Sequence, residues 1–237
     1  MIRIFIGYDP REAIAYHVLC HSILSRSTRP VLITPLALSH IKDVMWRPRH
    51  NLQSTDFSFS RFLVPYLCNF ADWAIFMDCD MLVLDDIANL WELKDDKFDV
   101  MCVKHNHAPK ETKKFLDQPQ TQYEKKNWSS VMLFNSQKCT VLTPEYVNEE
   151  TGLNLHRFNW VGDDTLIGDL PPHWNHLVDY DPKVPEERVS NLHFTTGGPY
   201  FEEFKDCGYS DPWFRDCLLY TSPSPRDLST SRMPSSA

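Results

Sequence analysis

The stretch Trp73-Ala-Ile-Phe-Met-Asp-Cys-Asp-Met-Leu-Val-Leu84 decides the fold class of this chain. Its first five residues form an apolar run of strand length, which ends abruptly in two acids. Open α/β folds bind ligands beyond the carboxyl ends of their strands, and Asp78 and Asp80 would lie there. Because the two residues alternate along the chain, both carboxylates could bind one divalent ion from the same side. Such an ion could hold a diphosphate and stabilise its charge as it departs.

The flanking sequence predicts a parallel sheet. Ile2–Gly7 is a β-branched, mostly apolar run of strand length, and Asp9 and Pro10 then suit the start of a helix over Ala13–Arg26. Val31–Leu36 follows as a second strand, and this strand–helix–strand order places both strands parallel in one sheet. Further strands are predicted at 98–103 and 130–134, and further helices at 58–67 and 87–93. We therefore expect an α/β fold with a single domain and a mainly parallel central sheet.

The composition excludes several classes of protein. The chain of 237 residues has a net charge of -8, whereas nucleic-acid-binding proteins present a basic surface. No apolar run is long enough to span a bilayer, and the N-terminus lacks the pattern of a signal peptide. The cysteines show no CxxC spacing, which favours reduced thiols. We expect a cytoplasmic protein that has no transmembrane segment and does not bind nucleic acid.

The C-terminal end has a different character from the rest of the chain. Residues 217–237 are rich in Ser and Pro, a composition that cannot bury enough apolar surface to fold. Their sequence resembles the two halves of a translated transposase sequencing adapter, with a short index at 228–230 between them. The alternative is a natural disordered tail. We expect a domain over 1–216 that has lost its natural C-terminus after Asp216, followed by an adapter-derived, disordered segment at 217–237.

Further motifs surround the acidic pair in a fixed order. Met77-Asp-Cys-Asp-Met-Leu-Val-Leu84 resembles the stretch Y-L-D-A-D-x-L-V of glycosyltransferase family eight and its bacterial relatives. The other segments similar to motifs of that family are Arg61-Phe-Leu-Val-Pro65, Trp128-Ser-Ser-Val-Met-Leu-Phe-Asn135, Asp164-Thr-Leu166, Pro172-His-Trp-Asn175 and His193-Phe-Thr-Thr-Gly-Gly-Pro-Tyr200. Short motifs recur by chance. The resemblance rests on the order of these segments along about residues 2–200, which is the same as in the family.

The resemblance implies a GT-A fold, a Rossmann-like α/β sandwich that binds a nucleotide sugar, usually UDP-linked, together with manganese. Asp78, Asp80 and His193 would then be metal ligands, and an imidazole ligand favours Mn²⁺ over Mg²⁺. The residues that the resemblance places at the donor are Tyr8, Asp9, Arg61, Asp78, Asp80 and Ser129. Tyr8 could stack on uracil or simply pack, while Asp9 could instead cap the first helix. Arg61 could pair with the donor or be a solvated helix charge.

The resemblance also implies transfer with retention of anomeric configuration to a glycan or other hydroxyl acceptor. If a carboxylate assists at the anomeric carbon, Asp164 is the first candidate and Asp163 the second; the alternative for both is capping of the following helix. The chain departs from the family at Gly198, where a lysine is expected, so one phosphate contact is missing or supplied elsewhere. Gly197 lies one residue later than the family's glycine, and the family's F-N-x-G segment is replaced around 127–130. These departures leave the donor sugar open.

Two other functions fit parts of the sequence. A haloacid-dehalogenase-like phosphohydrolase also has Asp-x-Asp after an apolar strand, and Gly162-Asp163-Asp164 resembles its later acidic motif. That family has Thr or Val where this chain has Leu82, and it places the acidic pair on its first strand. The second alternative is a catalytically inactive nucleotide-sugar-binding protein, against which the intact acidic pair and His193 argue. The sequence leaves the acceptor and the oligomeric state open.

Overall fold

The structure is a computed structural model that describes residues 1–49, 53–106, 116 and 124–221. Its strands are β1 (Ile2–Gly7), β2 (Val31–Leu36), β3 (Trp73–Met77), β4 (Met81–Val83), β5 (Val100–Cys102), β6 (Val131–Asn135), β7 (Ile167–Asp169), β8 (His176–Leu177) and β9 (Asn191–His193). Six of them form a central sheet in the order β2-β1-β3-β6-β5-β7, and the other three form a small sheet in the order β4-β9-β8.

The central sheet is mostly parallel, as the sequence predicts. Strand β1 is parallel to both of its neighbours, β2 and β3, and β5 is parallel to β7. Only β6 runs antiparallel to the strands beside it, β3 and β5. Because β6 is reversed, its start lies at the same edge of the sheet as the carboxyl ends of β1 and β3. This edge therefore collects the ends of three adjacent strands.

The helices are α1 (Ala13–Arg26), α2 (Val64–Leu67), α3 (Ile87–Trp91), α4 (Pro144–Glu149), α5 (Gly152–His156) and α6 (Ser210–Thr221). Helix α1 buries Ala15, Val18, Leu19 and Ile23, which recur at the spacing of one helical face. The predicted helix at 58–67 is a 3-10 turn over Ser60–Leu63 that continues into the short α2.

Two hydrophobic clusters hold the elements together. The larger one covers the central sheet and includes nearly all of β1 and β3. The smaller one packs under the three-stranded sheet, and its buried members are Val18, Leu82, Val178, Val189, Leu192, Phe194 and Trp213. Helix α1 contributes Leu19 and Ile23 to the first cluster and Val18 to the second. The two sheets are thus fixed relative to each other through α1.

The last described helix extends past the predicted domain end. Helix α6 continues from Asp216 to Thr221, and the side chain of Cys217 packs against the smaller cluster. Residues 217–221 are therefore helical, although the sequence predicts disorder from Cys217. The physical reason is that Leu218 and Leu219 are good helix formers, and no proline occurs between Asp216 and Pro223. The rest of the predicted disordered segment, from 222 onward, lies outside the described residues.

The cysteines have packing roles. All seven are free thiols, and Cys68, Cys79, Cys102 and Cys139 are buried. Burial raises the pKa of the Cys102 and Cys139 thiols far above the ordinary value, so both stay protonated and unreactive at neutral pH. Among the helices of the described chain, none combines the length and apolar character needed to cross a membrane.

Candidate functional site

The acidic pair lies at the edge where β1, β3 and β6 meet. Ile6 of β1 lies beside Met77 of β3, so the residues that follow the two strands are neighbours. On the other side, Met77 pairs with Val131, and the Asp78 backbone N–H donates to the Ser130 carbonyl at 2.9 Å. The structure therefore places the start of the acidic motif at the carboxyl edge of the sheet, as its sequence position predicts.

The small sheet brings His193 to the acids. Strand β4 begins one residue after Asp80 and pairs with β9, with Met81 opposite His193. The Phe194 N–H also donates to the Asp80 carbonyl at 2.8 Å. As a result, His193 Nε2 lies 3.5 Å from Asp80 Oδ1. One ligand atom from each of Asp78, Asp80 and His193 lies within 4.8 Å of the others. The three residues predicted to bind metal are thus brought together at the junction of the two sheets.

The chemistry of this junction suits a divalent cation. Cys79, between the two acids, is completely buried; burial raises the pKa of its thiol well above the ordinary value, and the carboxylates of Glu12, Asp80 and Asp78 raise it further. The thiol is therefore neutral and adds no charge to the carboxylates around it. Two carboxylates and one imidazole, of which Asp80 and His193 are buried and Asp78 is half-buried, form a donor set that could hold a divalent cation.

Arg61 orients the first acid of the motif. Its guanidinium Nη1 lies 2.8 Å from Asp78 Oδ1 and donates to the Ser129 carbonyl at 2.8 Å, while Nε donates to the Ser58 carbonyl at 3.1 Å. The side chain is only 6% exposed. Arg61 is therefore not a solvated helix charge, since it joins Asp78 to the loop that carries Ser129.

Ser129 is fixed by a half-buried histidine. Its hydroxyl lies 2.9 Å from His156 Nδ1, and the imidazole packs against the rings of Phe59 and Phe62. Burial lowers the pKa of His156 well below its ordinary value, and the charge of Arg61 lowers it further. His156 is therefore neutral at physiological pH. It holds the Ser129 hydroxyl in place next to the Arg61–Asp78 pair.

The residues after β1 are mostly occupied by contacts within the protein. The buried Asp9 accepts from the backbone N–H and the guanidinium of Arg11, at 3.0, 2.9 and 2.5 Å, and from the backbone N–H of Asp56 at 3.1 Å. Asp9 is thus the N-cap of the turn before α1, which is the alternative role given to it above. The half-buried Tyr8 ring lies edge-on to Tyr16, with the ring centroids 5.3 Å apart.

Asp163 and Asp164 are not members of the cluster formed by Asp78, Asp80 and His193. Asp163 accepts from the Thr165 backbone N–H at 2.8 Å and caps the 3-10 turn Asp164–Leu166. This hydrogen bond lowers the pKa of Asp163. Asp164 is 70% exposed and pairs with Lys125 Nζ at 2.6 Å. Lys125 precedes the turn Trp128–Ser130, so Asp164 is tied to the edge loop that carries Ser129.

Sequence reasoning missed the partner of Tyr200. The Tyr200 hydroxyl donates to the buried carboxylate of Glu12 at 2.8 Å, which joins the start of α1 to the segment after His193. A Cβ atom on Gly198 would lie 2.2 Å from the Tyr200 ring. A lysine at 198 is therefore incompatible with this position of Tyr200. The departure from the family pattern at Gly198 was the available signal, since it accompanies the contact between Tyr200 and Glu12.

Asn127 is a second residue that motif reasoning did not single out. It adopts a left-handed backbone conformation with φ of 64° at the start of the turn that carries Ser129. Its side chain is buried, and its amide Nδ2 makes no hydrogen bond within the described part of the chain. A buried donor of this kind is costly unless a ligand or water accepts from it. In the sequence, the only indication of Asn127 was that residues 127–130 replace the F-N-x-G segment of the family.

Comparison with known proteins agrees with this geometry. The sequence model of glycosyl transferase family 8 matches residues 23–142, about half of the chain. Protein CDI from Arabidopsis thaliana is 45% identical, and the alignment covers 97% of this chain and 91% of that protein. The chain belongs to glycosyl transferase family 8. As a member of family 8, it is a glycosyltransferase whose family uses nucleotide-sugar donors.

Solved structures show that this family 8 protein has the GT-A fold. The bifunctional glycosyltransferase WbbM superposes with a TM-score of 0.64 at 14% identity, over 97% of this chain and 51% of its own; this chain thus spans about half of WbbM. The galactosyltransferase LgtC, solved with donor and acceptor sugar analogues, gives 0.61 at 11% identity, covering 96% and 99%. The glycosyltransferase GlyE from Streptococcus pneumoniae TIGR4 gives 0.63 at 13%, covering 97% and 64%. At these identities, the likeness concerns the fold alone.

Proposed function

We propose that this protein transfers a sugar from a UDP-linked donor to a hydroxyl acceptor, with retention of configuration and with a divalent metal, Mn²⁺ in preference to Mg²⁺. The observation that carries the proposal is the convergence of Asp78, Asp80 and His193 within 4.8 Å at the carboxyl edge of the sheet. Acidic and imidazole ligands at this edge suit a metal that binds the diphosphate of a nucleotide sugar. We further propose a cytoplasmic location, and a natural domain that does not include the adapter-like residues from 217 onward.

The metal, when bound, would neutralise the negative charge that develops on the departing nucleoside diphosphate. The protein's contribution is to hold the ligands in place before the donor arrives. Arg61 fixes the Asp78 carboxylate through a contact of 2.8 Å, and β4–β9 pairing fixes Asp80 against His193. Ligands that are already positioned need no reorganisation during the reaction, which is the main source of electrostatic catalysis.

The donor sugar would be bound by the turn next to Asp78. The Ser129 hydroxyl, held by the neutral His156, and the buried Asn127 amide are the polar groups of that turn. We assign the stacking on the uracil ring to Tyr8, which follows β1 and is half-buried. Asp164 is the carboxylate we propose near the anomeric carbon, with Asp163 as the second candidate. Asp164 is joined to the same turn through Lys125, so a shift of Lys125 toward the diphosphate would release it.

Release of UDP is the test of this function. Purified protein is incubated with a panel of UDP-sugars and Mn²⁺, and UDP and transferred sugar are measured by mass spectrometry. We expect UDP release from one or a few sugars, and its loss when the metal is chelated. Hydrolysis of a generic phosphate ester instead would indicate the phosphohydrolase. Binding of UDP-sugars without any turnover, in the presence of an acceptor panel, would indicate the inactive binding protein.

A further inference from the structure

Behind His193 lies a short chain of buried polar side chains that the proposed function does not use. His193 Nδ1 lies 2.9 Å from Asn175 Oδ1, and Asn175 Nδ2 donates to Ser130 Oγ at 2.8 Å. The Ser130 hydroxyl in turn donates to the Asn127 carbonyl at 2.6 Å. Asn175 is completely buried, and Ser130 and His193 are each 2% exposed. Solvent therefore does not compete for these hydrogen bonds.

The directions of these hydrogen bonds follow from the only arrangement that satisfies every group. The Asn127 carbonyl can only accept, so the Ser130 hydroxyl donates to it and must accept from Asn175. The Asn175 group that faces Ser130 is therefore the NH₂, which also lies 3.4 Å from the Asn127 carbonyl. Its carbonyl oxygen then faces His193, and Nδ1 of the imidazole must carry the hydrogen. A reversed amide would place two carbonyl oxygens against each other.

We infer that Asn175 and Ser130 are positioning residues that fix the tautomer of His193, so that Nε2 presents a lone pair toward Asp80. The inference rests on the proposed metal site. With the hydrogen on Nδ1, Nε2 and Asp80 Oδ1 are two acceptors only 3.5 Å apart, an arrangement that a shared cation stabilises. A hydrogen bond from the second ring nitrogen is the usual way in which proteins orient a metal-binding histidine.

Ser130 has a second role in the same arrangement. Its backbone carbonyl accepts from the Asp78 N–H at 2.9 Å, while its hydroxyl anchors Asn175. One residue directly before β6 thus fixes the backbone of the first proposed metal ligand, Asp78, and, through Asn175, the ring of the histidine. These two ligands are far apart in sequence and belong to different sheets, so Ser130 couples their positions. Ser130→Ala should disturb His193 and leave the backbone contact to Asp78 intact.

The tautomer itself can be measured without metal or donor. In metal-free protein in mildly alkaline buffer, ¹⁵N–¹H correlation spectra report which ring nitrogen carries the hydrogen, and His193→Gln assigns the signal. We expect the Nδ1–H form in the wild type and in Asn175→Asp, whose carboxylate also accepts from Nδ1. Asn175→Leu and Ser130→Ala should shift the ring toward the Nε2–H form. A wild-type ring in the Nε2–H form, or no change in Asn175→Leu, would overturn the inference.

Metal affinity supplies the second measurement. Binding of Mn²⁺ is followed by the electron paramagnetic resonance of the free ion, with UDP present. We expect Asn175→Leu to weaken binding by about 10- to 100-fold and Asn175→Asp to restore most of it. The matched control is Asn148→Leu, since Asn148 is also buried and fully hydrogen-bonded but lies at α4, against Val44 and Pro144. Equal losses in Asn148→Leu and Asn175→Leu would reduce Asn175 to a structural role. If the wild type bound no Mn²⁺, the metal site would be wrong, while the spectra would still decide the tautomer.

Discussion

The two acids of the central motif have different surroundings. Asp78 is paired with the buried Arg61, whereas Asp80 lies against the imidazole of His193. The guanidinium of Arg61 already neutralises part of the charge of Asp78, while the charge of Asp80 adds to that of the other carboxylates around Cys79. The two residues should therefore respond differently to substitution, although the Asp-x-Asp pattern treats them alike.

Unfolding in metal-free buffer exposes this difference. Asp78→Asn removes the charge partner of a guanidinium that is 6% exposed, so we expect the free energy of unfolding to fall by about 2–4 kcal/mol. Asp80→Asn relieves repulsion among neighbouring carboxylates, and its stability should stay within about 0.5 kcal/mol of the wild type or increase. Urea denaturation of both variants measures the two values. Equal destabilisation by the two variants would contradict this account of Arg61.

His156 makes the stability of the protein depend on pH. Its pKa is lowered well below the ordinary value of about 6.5 by burial and by Arg61, so the unfolded chain takes up a proton that the folded chain does not. Stability is therefore fully present above about pH 6.5 and falls as the pH decreases toward the folded pKa, by up to about 1.4 kcal/mol per pH unit.

A comparison of urea midpoints at about pH 7.5 and about pH 5.5 isolates this effect. His156→Gln can still contact Ser129 but does not titrate, so it should lose less stability between the two conditions than the wild type. The difference between the two losses should be about 1 kcal/mol. If wild type and variant lost the same amount, the imidazole of His156 would not have the lowered pKa that this account gives it.

Among the secondary-structure elements, the long ones followed from the sequence and the short ones did not. The apolar runs of β1, β2 and β3 and the capped helix α1 carry enough periodicity to be predicted to the residue. Strands β4, β8 and β9 have two or three residues each, too few for any pattern, and they exist because they pair with one another over the smaller cluster. Their pairing explains why His193 joins the acids, which only the family resemblance could indicate.

Motif assignments also missed roles that depend on tertiary contacts. Arg61 was a choice between donor binding and a solvated charge, yet it lies buried against Asp78. Asn175 belonged to a recognised motif, but nothing in the sequence showed that its amide would face His193. Glu12 was assigned no role in the site, yet its carboxylate accepts from Tyr200. Such contacts join residues more than 15 positions apart and cannot be read from local spacing.

Besides the hydrophobic contact of Trp213 with the cluster that includes Val18, an ion pair attaches helix α6 to α1 and can be tested separately. Asp216 is 1% exposed, and its carboxylate accepts from the Arg26 guanidinium at 2.7 and 2.9 Å. We expect Asp216→Asn to cost about 2 kcal/mol and to lower the Tm by about 4–8 °C. Deletion of 217–237 removes the partial burial of Cys217 and the last five residues of α6, so it should lower the Tm by less than about 4 °C.

Calorimetry of the wild type, of Asp216→Asn and of the 217–237 deletion compares the loss of Tm caused by each change. A larger loss on deletion than in Asp216→Asn would show that the segment from 217 is an integral part of the domain. In that case, our proposal that this segment is adapter-derived would be wrong.

At the scale of the whole molecule, the proposed metal site lies where the two sheets meet. Asp78 follows a strand of the central sheet, and His193 ends a strand of the small sheet. A ligand that binds only this assembled site stabilises the folded chain by mass action, by about 2.7 kcal/mol at a concentration 100 times its Kd. For a chain of this size, this corresponds to about 5–10 °C in Tm.

We therefore expect UDP and Mn²⁺ together to raise the Tm by this amount, and either one alone to raise it much less. Differential scanning fluorimetry with UDP, Mn²⁺, both, or AMP and Mn²⁺ makes the comparison. A similar rise in Tm with AMP and Mn²⁺ would show that the site does not distinguish UDP from another nucleotide.

The most direct test of the central claim is the Mn²⁺ affinity and UDP release of Asp80→Asn beside Asp169→Asn. Asp169 is an acid at the end of β7 whose side chain is 74% exposed and pairs with Lys104, so it controls for loss of one negative charge. The account predicts that Asp80→Asn binds Mn²⁺ at least about 100-fold more weakly and releases no measurable UDP from the preferred sugar donor, while Asp169→Asn matches the wild type. Wild-type Mn²⁺ affinity and turnover in Asp80→Asn would contradict it.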